Sequence, residues 1–253
     1  MRSTKPIFFT LLLSLMTSNL TLAADGDHDR VWIFGYGSLM STLARTATAE
    51  DSKDAEYLPV RIHDMVRKWN LWIAKASQRA LNIEVSPGDS VNGLLFAVKT
   101  KDLPAFDLRE GAYNRVKIAK DKVSFYREDH RNKVLGTHDD VEIYAYLPKS
   151  ELYVGPEDTE KKIAMSYLNI VRSGCVEVDQ NNNLNGQFIM DCHKTLGLEE
   201  YDTFQDEDQP TYVRHPKNLL KKAEQRVDFL KGYLADDWPG YLEIVRKYWG
   251  SDI

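Results

Sequence analysis

Apolar positions fall in short alternating runs over the first 150 residues and recur at helical spacing only afterwards. Val31-Trp32-Ile33-Phe34 is a compact run of β-formers that stops at Gly35, and it predicts a buried first strand. Between 57 and 75, Val60, Ile62, Met65, Val66, Trp69, Leu71, Trp72 and Ile73 are interleaved with charge, the texture of one or two further strands. Leu81 to Val85 and Val91 to Val98 flank Ser86-Pro87-Gly88-Asp89-Ser90, whose Pro and Gly suit a turn, so a hairpin is expected there. Lys101 to Leu108 predicts a short helix capped by Asp102, with Pro104 in its first turn. The alternations Tyr113 to Ala119, Val123 to Tyr126 and Val141 to Leu147 predict three more strands.

After Leu147-Pro148 the period changes. A helix is expected from Pro156 to about Ser173, with Ile163, Tyr167, Leu168 and Val171 on one face and Gly174 ending it. Residues 181 to 186 read as a loop. A second helix begins near Pro216 and repeats Leu219, Ala223, Val227 and Leu230; a last one carries Tyr241, Ile244, Val245 and Tyr248 before Gly250. These stripes read as packing surface. Strands in close succession without long helices between them predict an α+β fold whose mixed, largely antiparallel sheet closes into a small barrel with flanking helices.

Ahead of the first strand, Arg2 and Lys5 precede the apolar run Ile7 to Met16, and small residues follow at Ala23-Ala24. That is the pattern of a secretory signal peptide over residues 1–24, cleaved after Ala23 or Ala24 and leaving a periplasmic or secreted protein without stable membrane insertion. The run is short for a roughly 30 Å hydrocarbon core, and no Cys follows it to carry a lipid. Cys175 and Cys192 are the two cysteines of the chain. In an oxidising compartment they form one disulfide, or else they are two small buried hydrophobes, and their spacing does not choose.

The 253 residues carry a formal charge of -5, which leaves no basic field for phosphate and argues against nucleic acid as a partner. The acidic residues Asp202, Asp206, Glu207 and Asp208 read as a solvated loop rather than a metal cage. His28, His63, His130, His138, His193 and His215 are scattered without a zinc spacing, and Cys192-His193 adjacency says nothing of a dyad in space. No metal and no cofactor is expected.

Two stretches carry candidate chemistry. Gly35-Tyr36-Gly37-Ser38-Leu39-Met40 lacks the third Gly of a dinucleotide fingerprint, the Lys of a P-loop and the flanking glycines of a nucleophile elbow. What it retains is a run of backbone N-H groups after a strand, a concave site suited to a carboxylate. The second stretch, Phe106 to Val116, sets Glu110 where a helix ends and a strand begins, beside Gly111, which would let another group approach closely.

Together these stretches resemble the gamma-glutamyl cyclotransferase superfamily, of AIG2 and ChaC-like type. Residues 31 to 39 are similar to its opening strand and YGSL turn, and Gly93-Leu94-Leu95-Phe96 to the strand after its central hairpin. Asp107 to Val116 resembles its catalytic segment, with Glu110 at the position of the catalytic glutamate and Tyr113 and Arg115 at the aromatic and basic positions that follow. Tyr144-Ala145-Tyr146-Leu147-Pro148 is similar to the closing strand, and Tyr153-Val154-Gly155-Pro156 to a segment of the ChaC-like branch. Ser41 and Thr42 depart from that branch, which has Trp there. The resemblance covers roughly residues 31 to 156, and implies a cyclotransferase domain over 25–156 with a helical C-terminal extension, 157–253, packed on it.

It also implies an activity. The substrate's α-amine would attack its own γ-carbonyl, releasing 5-oxoproline from a gamma-glutamyl peptide or amine, glutathione among them, without metal or cofactor. Glu110 would be the general acid/base, its pKa raised by burial beside Tyr36 and Tyr113. Tyr36, Gly37, Ser38, Leu39 and Tyr113 would bind the substrate. A reading of another class is a non-catalytic module of the same fold that binds a small ligand or a partner protein.

Overall fold

A computed structural model of the chain describes residues 29–49, 56–136, 141–222, 231, 234–235 and 238–250. The expected signal peptide, residues 1–24, and His28 and His138 lie outside these residues.

The first strand, β1 (Arg30–Gly35), forms as its apolar run requires. It runs antiparallel to β3 (Gln78–Lys99) and parallel to β6 (Ile143–Pro148). β2 (Tyr57–Ile73) joins β3 in a long antiparallel hairpin. The edges are β4 (Tyr113–Lys117), antiparallel to β6, and β5 (Val123–Phe125), antiparallel to β2. The six strands thus lie in the order β4-β6-β1-β3-β2-β5.

This sheet is mixed and mostly antiparallel, but it is open, so the expected barrel is corrected. Among the described residues β4 and β5 share no ladder. Helices cover the hairpin instead: Trp69 of β2 donates its indole N-H to the carbonyl of Leu196 at 2.6 Å, and Asn92 of β3 donates to that of Phe188 at 3.2 Å. Both carbonyls belong to the helix Gln187–Leu196.

The hairpin is also placed differently. β2 and β3 turn at 74–77, and Ser86 to Ser90 is not their connection but a bulge within β3. The register passes from His63↔Ser90 to Met65↔Val85, so a loop on one strand faces the single residue Asp64 on the other. Asp64 holds that loop by accepting the N-H of Gly88 at 2.9 Å. Pro and Gly marked a local departure correctly but not its topology, because a bulge and a turn draw on the same residue types.

The helices in chain order are α1 (Thr42–Thr46), α2 (Leu103–Arg109), α3 (Glu128–Leu135), α4 (Met165–Asn181), α5 (Gln187–Leu196), α6 (Pro216–Lys222) and α7 (Trp238–Trp249). Two-residue strands β7 (Ile163–Ala164) and β8 (Thr203–Phe204) pair in parallel. In α2, Pro104 stands in the first turn as expected, but the Asp102 side chain makes no cap bond. α3 and α5 had no signal in the apolar pattern. Ala223, Val227 and Leu230 of the expected stripe lie outside the described residues.

α4 begins nine residues after Pro156, and the reason is Arg79. Its guanidinium collects the carbonyls of Gly155 at 2.6 Å and Asp158 at 2.8 Å, and also that of Lys161, acceptors a helix would have consumed. Nor does Gly174 end α4. A Cβ there would sit 2.9 Å from Met40, so the missing side chain lets α4 lie directly against the turn after β1. α4 is buried along almost its whole length and joins the same apolar core as β1 and β3.

The acidic segment is corrected too. Asp206 is an anchor: it accepts Ser166 N-H at 2.7 Å, Ser166 Oγ at 2.6 Å and Thr211 N-H at 2.8 Å, placing a carboxylate at the N-terminus of α4. Glu207 accepts from Asn169 at 2.9 Å. Among the described residues no cluster of His, Cys, Asp or Glu could hold a metal, and no helix is long and apolar enough to cross a membrane. Cys175 of α4 and Cys192 of α5 are joined in a disulfide, which decides the alternative that their spacing left open.

Candidate active site

Where β1 ends at Gly35, it leaves the edge of β3 uncovered, and a recess opens there. Its wall comprises Phe34, Tyr36, Gly37, Ser38, Leu39, Leu81, Glu110, Tyr113, Tyr146 and Tyr167. The six residues singled out in the sequence, Glu110 with Tyr36, Gly37, Ser38, Leu39 and Tyr113, are therefore brought together. Strand geometry accounts for the opening. Gly93 of β3 has no room for a Cβ, which would meet the Gly35 carbonyl and the Phe34 ring at 2.5 Å, so β1 packs tightly until Gly35 and then turns away. The exposed edge of β3 is finished by two tyrosines: Tyr113 donates its hydroxyl to the Leu81 carbonyl at 3.0 Å, and Tyr167 Oη accepts the Leu81 N-H at 3.4 Å.

The turn itself is a single 3₁₀ turn, Ser38–Met40, closed by Met40 N-H to the Gly37 carbonyl at 2.9 Å. Its carbonyls face outward to guanidinium groups. Arg45 of α1, wholly buried, donates to those of Leu39 at 2.8 Å and Met40 at 2.7 Å, and Arg67 of β2 to that of Tyr36 at 2.9 Å. By contrast, Gly37, Ser38 and Leu39 line the recess, and their N-H groups find no backbone acceptor among the described residues. Glu177 of α4 ties the exit by accepting Thr42 N-H at 3.1 Å, and lies 3.8 Å from Arg45. Burial raises Glu177 above the usual carboxylate range, with Arg45 and Thr42 opposing.

Glu110 follows directly on α2. It caps that helix, donating its N-H to the Phe106 carbonyl at 2.9 Å, while its own carbonyl accepts Tyr113 N-H at 2.8 Å. Leu103 and Phe106 are buried on the sheet side, Phe106 against Phe96 at 5.5 Å between rings. Glu110 completes the i, i+3, i+7 stripe that they begin, so the packing of α2 turns its carboxylate inward. Gly111 does not have the expected role. It is exposed, and its nearest contact, the Leu108 carbonyl, stands 3.5 Å from where a Cβ would be.

The arginine before Glu110 was not singled out in the sequence, yet it organises the site. Arg109 Nε lies 2.6 Å from Glu110 Oε1; its other nitrogens donate to Ser38 Oγ at 3.0 Å, Thr48 Oγ1 at 2.6 Å and the Ala44 carbonyl at 2.5 Å. One guanidinium thus joins the turn, α1 and the carboxylate. The expected aromatic surroundings of Glu110 are present, but so is this cation. Tyr36 donates its hydroxyl to the Tyr146 carbonyl at 2.6 Å, and Tyr146 to Asp107 at 2.8 Å. Burial raises the pKa of Tyr36, Tyr113, Tyr146 and Tyr167, with Glu110 adding to each, so these hydroxyls remain protonated at neutral pH. Arg115, by contrast, points to Asp107 at 3.3 Å outside the recess wall. Arg214, from the segment after β8, is half-buried; burial and then the charge of Arg109 lower its pKa, and Glu110 opposes.

Residues 33–168, more than half of the chain, match the family described as gamma-glutamyl cyclotransferase, AIG2-like. The chain belongs to that family. The matched stretch contains every recess residue, from Phe34 to Tyr167. Among solved structures the chain is similar to a gamma-glutamyl cyclotransferase at 15% identity and a TM-score of 0.50, covering 77% of this chain and 99% of that one. It is also similar to an uncharacterized human protein (17% identity, 64% and 87% coverage, TM-score 0.46). A third is a yeast gamma-glutamyl cyclotransferase specific to glutathione (14%, 68% and 100%, TM-score 0.38). No curated protein matches. At 15% identity the first of these structures shows the fold alone.

Proposed function

We propose that this family member is a gamma-glutamyl cyclotransferase that releases 5-oxoproline from a gamma-glutamyl peptide or amine, with Glu110 as its acid/base. The observation that carries the reading is the bridge through Arg109, which sets Glu110 and the turn at Ser38 on the wall of one recess. N-H groups at Gly37, Ser38 and Leu39 suit an α-carboxylate. A substrate held there by that end and folded back towards Glu110 has its amine near its own γ-carbonyl, and such intramolecular orientation removes several kcal/mol from a barrier. Glu110 accepts a proton from the α-ammonium and the nitrogen bonds to the carbonyl carbon; the bond to the leaving amine breaks as Glu110 returns that proton to its nitrogen, and the second proton shed by the ring nitrogen passes to the released amine, which leaves as an ammonium. Every atom of 5-oxoproline comes from the substrate. Arg109 orients the carboxylate between these two transfers.

The protein acts outside the cytoplasm in this reading. Support comes from the N-terminal pattern of basic, apolar and small residues, and from the Cys175–Cys192 disulfide, which suits an oxidising compartment. The cyclotransferase domain over 25–156 and the extension over 157–253 work as one unit, since α4 of the extension supplies Tyr167 to the recess.

Incubating the purified protein with a panel of gamma-glutamyl dipeptides, glutathione and gamma-glutamyl amines, and measuring 5-oxoproline, tests the assignment. Release from at least one is expected. No release from any would discard the enzyme in favour of a binding module.

A further inference from the structure

Arg67, on β2 behind the turn, is 3% exposed. It donates to the Tyr36 carbonyl at 2.9 Å, to Asn92 Oδ1 at 2.7 Å, to Thr195 Oγ1 at 2.5 Å, to the Asn92 carbonyl, and lies 3.6 Å from the Met40 sulfur. All these acceptors are neutral, and among the described residues no carboxylate pairs with it. Arg45 and Arg109, the other arginines around the turn, each have a glutamate within 4 Å. Arg79 is likewise held by carbonyls alone, but those belong to Trp69, Val154, Gly155, Asp158 and Lys161, none on the recess wall.

Hydrogen bonds to carbonyls satisfy a guanidinium's donors without cancelling its charge, and an uncompensated buried charge is costly. Burial lowers Arg67 to about 9, with Tyr126, Tyr36 and Tyr167 opposing, so the side chain stays cationic at neutral pH. The peptide it bonds joins Tyr36 to Gly37, both of which line the recess, and its N-H finds no backbone acceptor among the described residues. A cation on the carbonyl of a peptide polarises it and makes its N-H a stronger donor.

We propose that Arg67 is a positioning residue for the substrate's α-carboxylate: through the Tyr36-Gly37 peptide it supplies the fixed positive charge that the turn's neutral amides lack. This rests on the cyclotransferase reading, and it specifies that the substrate must present an anion to the turn. The carboxylate in turn offsets the charge of Arg67, while Glu110, oriented by Arg109, is left to proton transfer.

The experiment crosses two proteins with two substrates. Wild type and Arg67→Gln are assayed on a gamma-glutamyl amide and on the 4-aminobutyryl amide with the same leaving amine, which lacks only the α-carboxylate and cyclises to 2-pyrrolidinone. Wild type is expected to prefer the carboxylate-bearing substrate in kcat/KM by about 30-fold, the size of a charge-assisted hydrogen bond. In Arg67→Gln the preference falls to a few-fold, and the loss on the gamma-glutamyl substrate lies mainly in KM. If that variant does not fold, Arg67→Lys, which keeps a charge but not the fork that spans Tyr36 and Asn92, is expected to narrow the preference by less. A purely structural Arg67 would lower both substrates alike; an unchanged preference in whichever variant folds overturns the proposal. Wild type that forms neither lactam would instead remove the cyclotransferase reading beneath it.

Discussion

The hydroxyl of Ser38 and the carboxylate of Glu110 are held by the same guanidinium, that of Arg109, at 3.0 and 2.6 Å. Through it a turn from the first strand and the end of a helix far along the chain become one site. Arg109→Lys keeps the charge but cannot reach Ser38, Thr48 and Glu110 together. A loss of at least about 10-fold in kcat/KM is expected, as for a misplaced catalytic group. Steady-state kinetics beside a thermal melt would show whether the loss exceeds what destabilisation explains.

Gly37 borders the recess, and a Cβ there would meet Tyr167 Oη at 3.4 Å and Leu81 at 3.7 Å. Those are ordinary contacts, so Gly37→Ala should fold. The added methyl occupies space meant for substrate, and KM should rise while the melting temperature changes little. An unchanged KM would place the substrate elsewhere.

Asp206 fixes the segment after β8 to the start of α4. Burial alone would raise its pKa, but the hydrogen bonds from Ser166 and Thr211 outweigh this and hold it below the usual carboxylate value. The depressed pKa gives the sign: stability from this group is present above about pH 4 and is lost as pH falls through the folded-state value. Asp206→Asn should cost about 1–2 kcal/mol at neutral pH, the worth of a helix N-terminal cap, and should flatten the acid loss. Denaturant titrations of both proteins at pH 7 and pH 3 would measure it.

The disulfide closes a sequence separation of 17 between two helices that flank the site. Replacing both cysteines by alanine should destabilise by about 3 kcal/mol on the chain-entropy estimate. Asn92, which accepts from Arg67, also donates to Cys192 Sγ at 3.2 Å, so activity should fall with stability. Full activity after reduction would separate the bridge from the site.

Much of this was legible before any coordinates. Strands β1, β4, β5 and β6 follow their alternations, and Glu110 shares a helical stripe with Leu103 and Phe106, which is why a charged residue turns inward. Where the reading failed, non-local contacts had overridden local pattern. Ser86 to Ser90 carries turn residues in a bulge; Arg79 takes the carbonyls that would have begun a helix at Pro156; Gly174 serves a close approach rather than a stop. Tyr167 looked like one more apolar position on a helix. Its hydroxyl was the available signal, because a buried tyrosine needs a partner, and the Leu81 N-H is that partner. Arg109 gave no signal of its own, since its importance lies in reaching three separated segments at once.

The central claim is that Glu110 moves the protons. The most direct measurement compares wild type with Glu110→Gln for 5-oxoproline release from the best gamma-glutamyl substrate, with circular dichroism spectra of both. The account predicts matching spectra and a kcat lower by about 100-fold or more, the usual contribution of a general acid/base. A variant that folds and turns over at the wild-type rate would contradict it.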